Sequence, residues 1–177
     1  MCIATIPFFK EIIIMCFSCE FCGYKTTEIK QGGGLSEHAT KITFKCLGER
    51  DLCRDVFKSD TCHFTIPELD LELAPGTLGS LYTTTEGMID KIHEHLCNSN
   101  MLNMGDSKTN EKFVQFLAKL EHLKSGEIPF TFVMDDPLSN CFIYNPHAPA
   151  DDPQITVEVY DRTDEQNEEL GLNDMNV

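Results

Sequence analysis

Apolar and polar positions change their period twice along this 177-residue chain. Residues 6–18 are rich in Ile and Phe, with no helix breaker after Pro7, and predict a strand running straight into Cys19. Residues 23–31 predict the returning strand. Gly32-Gly33-Gly34 then ends the pattern, because three glycines cost too much backbone entropy to sit inside an element.

From 39 to 84 the period is mostly two. Ile42 and Phe44 alternate with Thr43 and Lys45, and Phe64–Ile66 and Leu69–Leu73 read as half-buried strands. Pro67 is then expected at an edge or bulge, since it offers no N–H to a ladder. Pro75-Gly76 marks a turn. The period next becomes helical. Thr83-x-x-Glu86 predicts a capping box, followed by Met88, Ile89, Ile92 and Leu96 on one face. A second helix is expected from Asp106 or Ser107, with Phe113, Phe116, Leu117 and Leu120 as its stripe and Gly126 past its end. The segment Cys97–Gly105 is read as the connection of an antiparallel hairpin. Strand signals return at 129–134, 141–144 and 155–160. Asp135-Asp136-Pro137 between them reads as a turn cap rather than a catalytic pair, because adjacent strand residues face opposite ways. The tail 161–177 carries six acids against Arg162, and is expected to be ordered only where Leu170 and Leu172 dock.

The fold class that follows is mainly β with an α insertion. Residues 1–34 form a partial zinc-ribbon segment. Residues 35–160 form a β domain with a helical hairpin at about 84–125. Residues 161–177 form an acidic tail.

Charge narrows the function. The formal net charge is −15. Residues 1–60 carry eight acidic and eight basic side chains, while residues 61–177 carry 21 acidic and six basic. Such a surface is a poor match for nucleic acid or for anionic membrane, and neither is expected as a partner. The longest early apolar run, Ile12–Phe17, is far short of a membrane span. No cleavage-type small-residue site follows it, so a secretory signal is not expected. Nine cysteines cannot all pair, which predicts a reducing compartment, cytoplasm or nucleus.

Cys19-Glu20-Phe21-Cys22-Gly23 is the sharpest chemical signal. Two thiolates at this spacing can share one tetrahedral zinc, and the glycine frees the backbone to turn and donate N–H groups to sulfur. A ribbon needs a second pair. Cys16 and Cys2 are the substitutes in this chain, and both are expected on strand rather than on a knuckle. Cys46, Cys53, Cys62, Cys97 and Cys141 stand singly and read as structural. His93 and His95, two apart on a helix, point away from each other and cannot share a metal. An oxygenase-type set of two His and a carboxylate would need a strand motif that His63-Phe64-Thr65 does not supply. No nucleophile elbow, dinucleotide fingerprint or phosphate-cradling lysine loop is present in the sequence, and no enzyme is expected.

Ile6-Pro7-Phe8-Phe9-Lys10-Glu11, Cys19-x-x-Cys22-Gly23-Tyr24-Lys25-Thr26-Thr27-Glu28, Ile66-Pro67-Glu68-Leu69, Met134-Asp135-Asp136-Pro137 and Gln166–Met175 together resemble the ZPR family of eukaryotic zinc-finger proteins, in this order and across essentially the whole chain. The resemblance implies a four-cysteine zinc finger followed by a double-stranded β-helix, jelly-roll-like, with an inserted helical hairpin. It implies the second of the family's two modules. It also implies binding and chaperoning of translation elongation factor 1-alpha, with links to receptor signalling and nuclear partners. Cys19 and Cys22 correspond to the second ligand pair. The family's first pair stands about a dozen residues before the position of Met1, so the chain is expected to be an N-terminally truncated or reduced form with less than full zinc. Cys16 is extra to the pattern, and Ser139 stands where the family has Gly. A structural remnant without a partner is the alternative.

Overall fold

The computed structural model describes residues 1–100 and 107–174. Strands β1 (Cys2–Thr5), β2 (Glu11–Ser18) and β3 (Lys25–Gln31) form an antiparallel sheet in that order. The single strand expected over 6–18 is therefore two strands and a turn. Ile6 N–H donates to Lys10 O, Phe9 N–H donates to Ile6 O, and Phe8 sits at φ 61. The apolar residues of this turn serve docking rather than pairing. Ile6 and Ile12 bury against Phe57 and Phe142, and the Phe9 ring lies 4.9 Å from that of Phe142. Lys10 Nζ donates to Ser139 O at 2.9 Å and closes the contact.

The remaining strands build two sheets around one core. They are β4 (Ala39–Cys46), β5 (Asp55–Lys58), β6 (His63–Ile66), β7 (Leu71–Leu73), β8 (Leu81–Thr84), β9 (Phe130–Asp136), β10 (Phe142–Ile143) and β11 (Ile155–Tyr160). One sheet runs β11-β4-β9-β6-β7 and the other β10-β5-β8. Alternation sets the buried face: Ile42, Phe44 and Cys46 on β4, and Phe130, Phe132 and Met134 on β9. Phe132 packs edge-on to Phe44 and stacked on Phe64. This is the jelly-roll-like architecture that the resemblance implies, and the β domain that the pattern predicts. Pro67 opens a 3-10 turn between β6 and β7, at the sheet's end. A one-turn helix, α1 (Glu49–Leu52), precedes β5.

Helices α2 (Thr85–Asn100) and α3 (Ser107–Lys124) form the inserted pair. Their capping differs from the expectation. Thr84 is held extended by pairing with Asp55, so it takes the cap in place of Thr83 and accepts the N–H of Gly87 at 3.1 Å. Glu86 then falls one position too early to close the box. The segment read as a linker from Cys97 is helical to Asn100, because the apolar stripe ends before the helix does; residues 101–106 lie outside the described residues. Met88, Ile89, Ile92, Leu120 and Leu123 bury into the core. Lys124 and Asp90 pair at 2.7 Å across the hairpin.

Gly126 follows α3 at φ 70, where a Cβ would lie 2.8 Å from Glu49 N. Only glycine fits that close approach to α1. Ser139, in the turn after β9, holds the left-handed conformation at φ 54, and its hydroxyl donates to His38 O. The tail is more ordered than its composition predicts. Thr163 and Gln166 close a capping box on α4 (Asp164–Glu169), and Arg162 donates to Ser36 O and Pro137 O. The threonine–glutamine spacing is in the sequence, but the acidic composition of the segment masks it. Leu170 and Leu172 are half-buried.

Candidate metal centre

The β2–β3 hairpin ends in a knuckle built by its own backbone. Cys19 N–H donates to Tyr24 O at 2.8 Å, and Gly23 N–H donates to Cys19 O at 2.9 Å. Gly23 takes φ 73 to close the turn. The chain thereby folds its amides back toward sulfur. The backbone amides of Cys22 and Phe21, then the Cys22 thiol, favour a negative Cys19 sulfur and hold its pKa below the usual thiol value. A thiolate stabilised by two amides is the form that ligates zinc. Cys22 is exposed and Phe21 fully so, leaving the pair open to solvent.

The pair fits one half of a tetrahedral site. The substitutes do not complete it. Cys16 lies in mid-strand opposite Thr27, whose hydroxyl leans on its sulfur at 3.7 Å. Cys2 lies on β1 opposite Ile14, with its thiol toward Ile3 O. Among the described residues no three His, Cys, Asp or Glu side chains gather into a group that could hold a metal. Cys19 and Cys22 would be two ligands to zinc, which would lock the knuckle and leave two positions for other donors.

The remaining candidates are placed elsewhere. Cys46, Cys62 and Cys141 are buried. Burial raises the Cys46 thiol to about 11 and the Cys141 thiol well above its usual range, so both stay protonated and inert. His63 stands opposite Asp135 in the β6–β9 ladder, while His147 is exposed in the loop after β10. Asp135 and Asp136 do face opposite ways. Asp135 accepts from Tyr160 Oη, and Asp136 is buried under four donors of its own turn and of the 59–61 segment. The Ile6–Lys10 turn that carries the hairpin onto the jelly roll is not legible in the sequence: a left-handed Phe8 leaves no mark there, because the conformation favours glycine.

Two family models match the chain. The ZPR1 zinc-finger domain matches residues 1–37, and the ZPR1 jelly-roll domain matches residues 50–172. The zinc finger protein ZPR1 of Bos taurus is 46% identical over 176 residues, covering 98% of this chain and 38% of that protein. The zinc finger chaperone zpr1 of Schizosaccharomyces pombe is 44% identical over 173 residues, covering 96% of this chain and 38% of that protein. A ZPR1-like protein of Methanocaldococcus jannaschii is 25% identical over 140 residues, 78% of this chain and 69% of that protein. The chain thus spans 38% of the length of its nearer-identity relatives. With a zinc-knuckle hairpin docked on a jelly roll, and both of its domains matched, the chain belongs to the ZPR1 family of zinc-finger proteins.

Proposed function

We propose that this chain is a non-enzymatic, zinc-associated protein-interaction module that binds translation elongation factor 1-alpha and assists its folding. The observation that carries the reading is its 44% identity, over 96% of the chain, to a relative named as a zinc finger chaperone. The elongation factor itself comes from the family resemblance of the motifs. Charge supplies a physical rationale: the chain carries −15, all of it beyond residue 60, and a basic partner would be steered onto such a surface. Receptor or nuclear proteins are further partners by the same resemblance, and the workplace is the cytoplasm and nucleus. Zinc is the implied cofactor, and Cys19 and Cys22 supply two of its four ligands in this reading.

The test is affinity capture from a eukaryotic lysate with the tagged full chain at low and high salt. Recovery of the elongation factor at low salt, decreasing as salt rises, supports the reading. Absence of the factor at low salt overturns it.

A further inference from the structure

The five-stranded sheet ends on β11, and among the described residues no strand pairs with its far edge. The ladder tells which backbone groups that edge presents. Lys45 N–H donates to Gln154 O at 2.9 Å. Residues that exchange hydrogen bonds with β4 therefore fall at Gln154, Thr156, Glu158 and Tyr160. Val157 and Val159 alternate with them and turn their N–H and C=O groups outward, as does Ile155, whose N–H is taken by Asp152 O at 3.1 Å.

The side chains of those three residues lie on the same sheet face as Phe44 and Ile42, which is the core face. Yet Val157 is 55% exposed and Val159 63%. The cover supplied by the opposing sheet stops short of β11. Beside the strand opens a cavity of about 730 Å³, walled by Val157, Ile143, Tyr144, Pro7 and Phe8. The charged residues of its lining are Asp151 and Asp152. Asp152 is bound by Arg54, while Asp151 is exposed.

An unpaired edge with bare valines beside a groove is a template for strand addition. A second copy is a poor occupant, because two chains of charge −15 repel each other. The same charge favours a basic segment. We infer that the β11 edge binds an extended peptide of a partner protein, whose alternate apolar side chains enter the groove over Val157 and Val159 and whose basic residue meets Asp151. This goes beyond the elongation-factor reading and does not depend on it: it assigns a surface and a partner chemistry, whichever protein supplies the segment.

The probe is a synthetic peptide of about eight residues alternating valine with lysine or threonine, and the control carries glutamate in place of lysine. The lysine peptide is expected to bind the full chain at low salt and to protect the Val157 and Val159 amides from hydrogen exchange. Val157→Pro removes an outward N–H without touching the β4 ladder, and is expected to weaken binding at least about tenfold. Asp151→Asn is expected to weaken it about threefold and to flatten its salt dependence. Should Val157→Pro fail to fold, as read by circular dichroism, Val157→Lys tests the same edge by charge and is expected to repel the lysine peptide. The proposal is overturned by failure of the lysine peptide to bind, by equal binding of the glutamate peptide, by protection confined to other strands, or by undiminished binding to the folded variant. A concentration-dependent dimer dissolved by Val157→Pro would assign the edge to a second copy and overturn it too.

Discussion

Arg54 Nη1 donates to Asp152 Oδ2 at 2.5 Å, joining the start of β5 to the entry of β11 across 98 residues. The Asp152 side chain is fully buried and that of Arg54 is 8% exposed. The same guanidinium reaches Asp51 at 2.8 Å and Gln154 Oε1 at 2.6 Å, and lies over the Phe44 ring. One planar cation thus ties α1, β5 and β11 together. Arg54→Met would leave two buried carboxylates without their cation. It is expected to cost about 3–5 kcal/mol in urea unfolding.

The same pair predicts acid sensitivity. Burial alone would raise the Asp152 carboxyl, but the Gln154 N–H and the Arg54 guanidinium outweigh it and hold the pKa below the usual carboxylate value. As pH falls, the unfolded chain therefore takes up this proton before the folded chain does. The contribution is complete above the ordinary carboxylate range and is lost as pH falls through the folded value. Melting temperatures of the native chain and of Asp152→Asn should differ most near neutral pH and converge in acid. A difference that grows in acid would contradict this.

Asp136 anchors the turn after β9. Its two oxygens accept from Ser59 Oγ, Thr61 Oγ1, Leu138 N and Asn140 N, and it is fully buried. Asp136→Ala leaves four donors to find other partners, and is expected to cost about 3 kcal/mol or more. Asp136→Asn keeps one acceptor oxygen and should cost less. Denaturant midpoints of the two variants give the comparison.

Two glycines separate conformation from composition. Gly126→Ala meets both the positive φ and the Glu49 backbone, so it is expected to destabilise by about 2 kcal/mol or more. Gly34→Ala meets nothing within 4 Å. It should be neutral or stabilise by about 0.5 kcal/mol through the unfolded chain. Thermal unfolding of the two variants checks both signs.

The knuckle should bind zinc independently of the β domain's stability. Cys19→Ser is expected to abolish the zinc found by elemental analysis while moving the main melting transition by only about 1 kcal/mol or less, because the hairpin tip lies outside both buried clusters. Cys16→Ser is expected to leave the zinc content unchanged, since Cys16 faces Thr27 across the hairpin. Full, chelator-resistant zinc lost in Cys16→Ser would reverse that assignment.

The repeat of apolar positions was enough to place β4, β9 and the two helices, because period and burial are the same fact in an element with one covered face. Cys19-x-x-Cys22-Gly23 was likewise legible, since a knuckle is made by contiguous backbone that needs no distant partner. The cap at Thr84 was not, because the β5 ladder moved the helix start by one residue. Nor was the break at Phe8, whose apolar neighbours serve docking instead of a continuous strand. By itself, the sequence determined the local periods, the knuckle and the uneven charge. Only the tertiary structure decided that Arg54 meets Asp152 and, among the described residues, that the knuckle stands as a half-site and that β11 has a free edge. Those are relations between segments far apart in the chain, and alternation names the face a side chain takes but never the strand that will cover it.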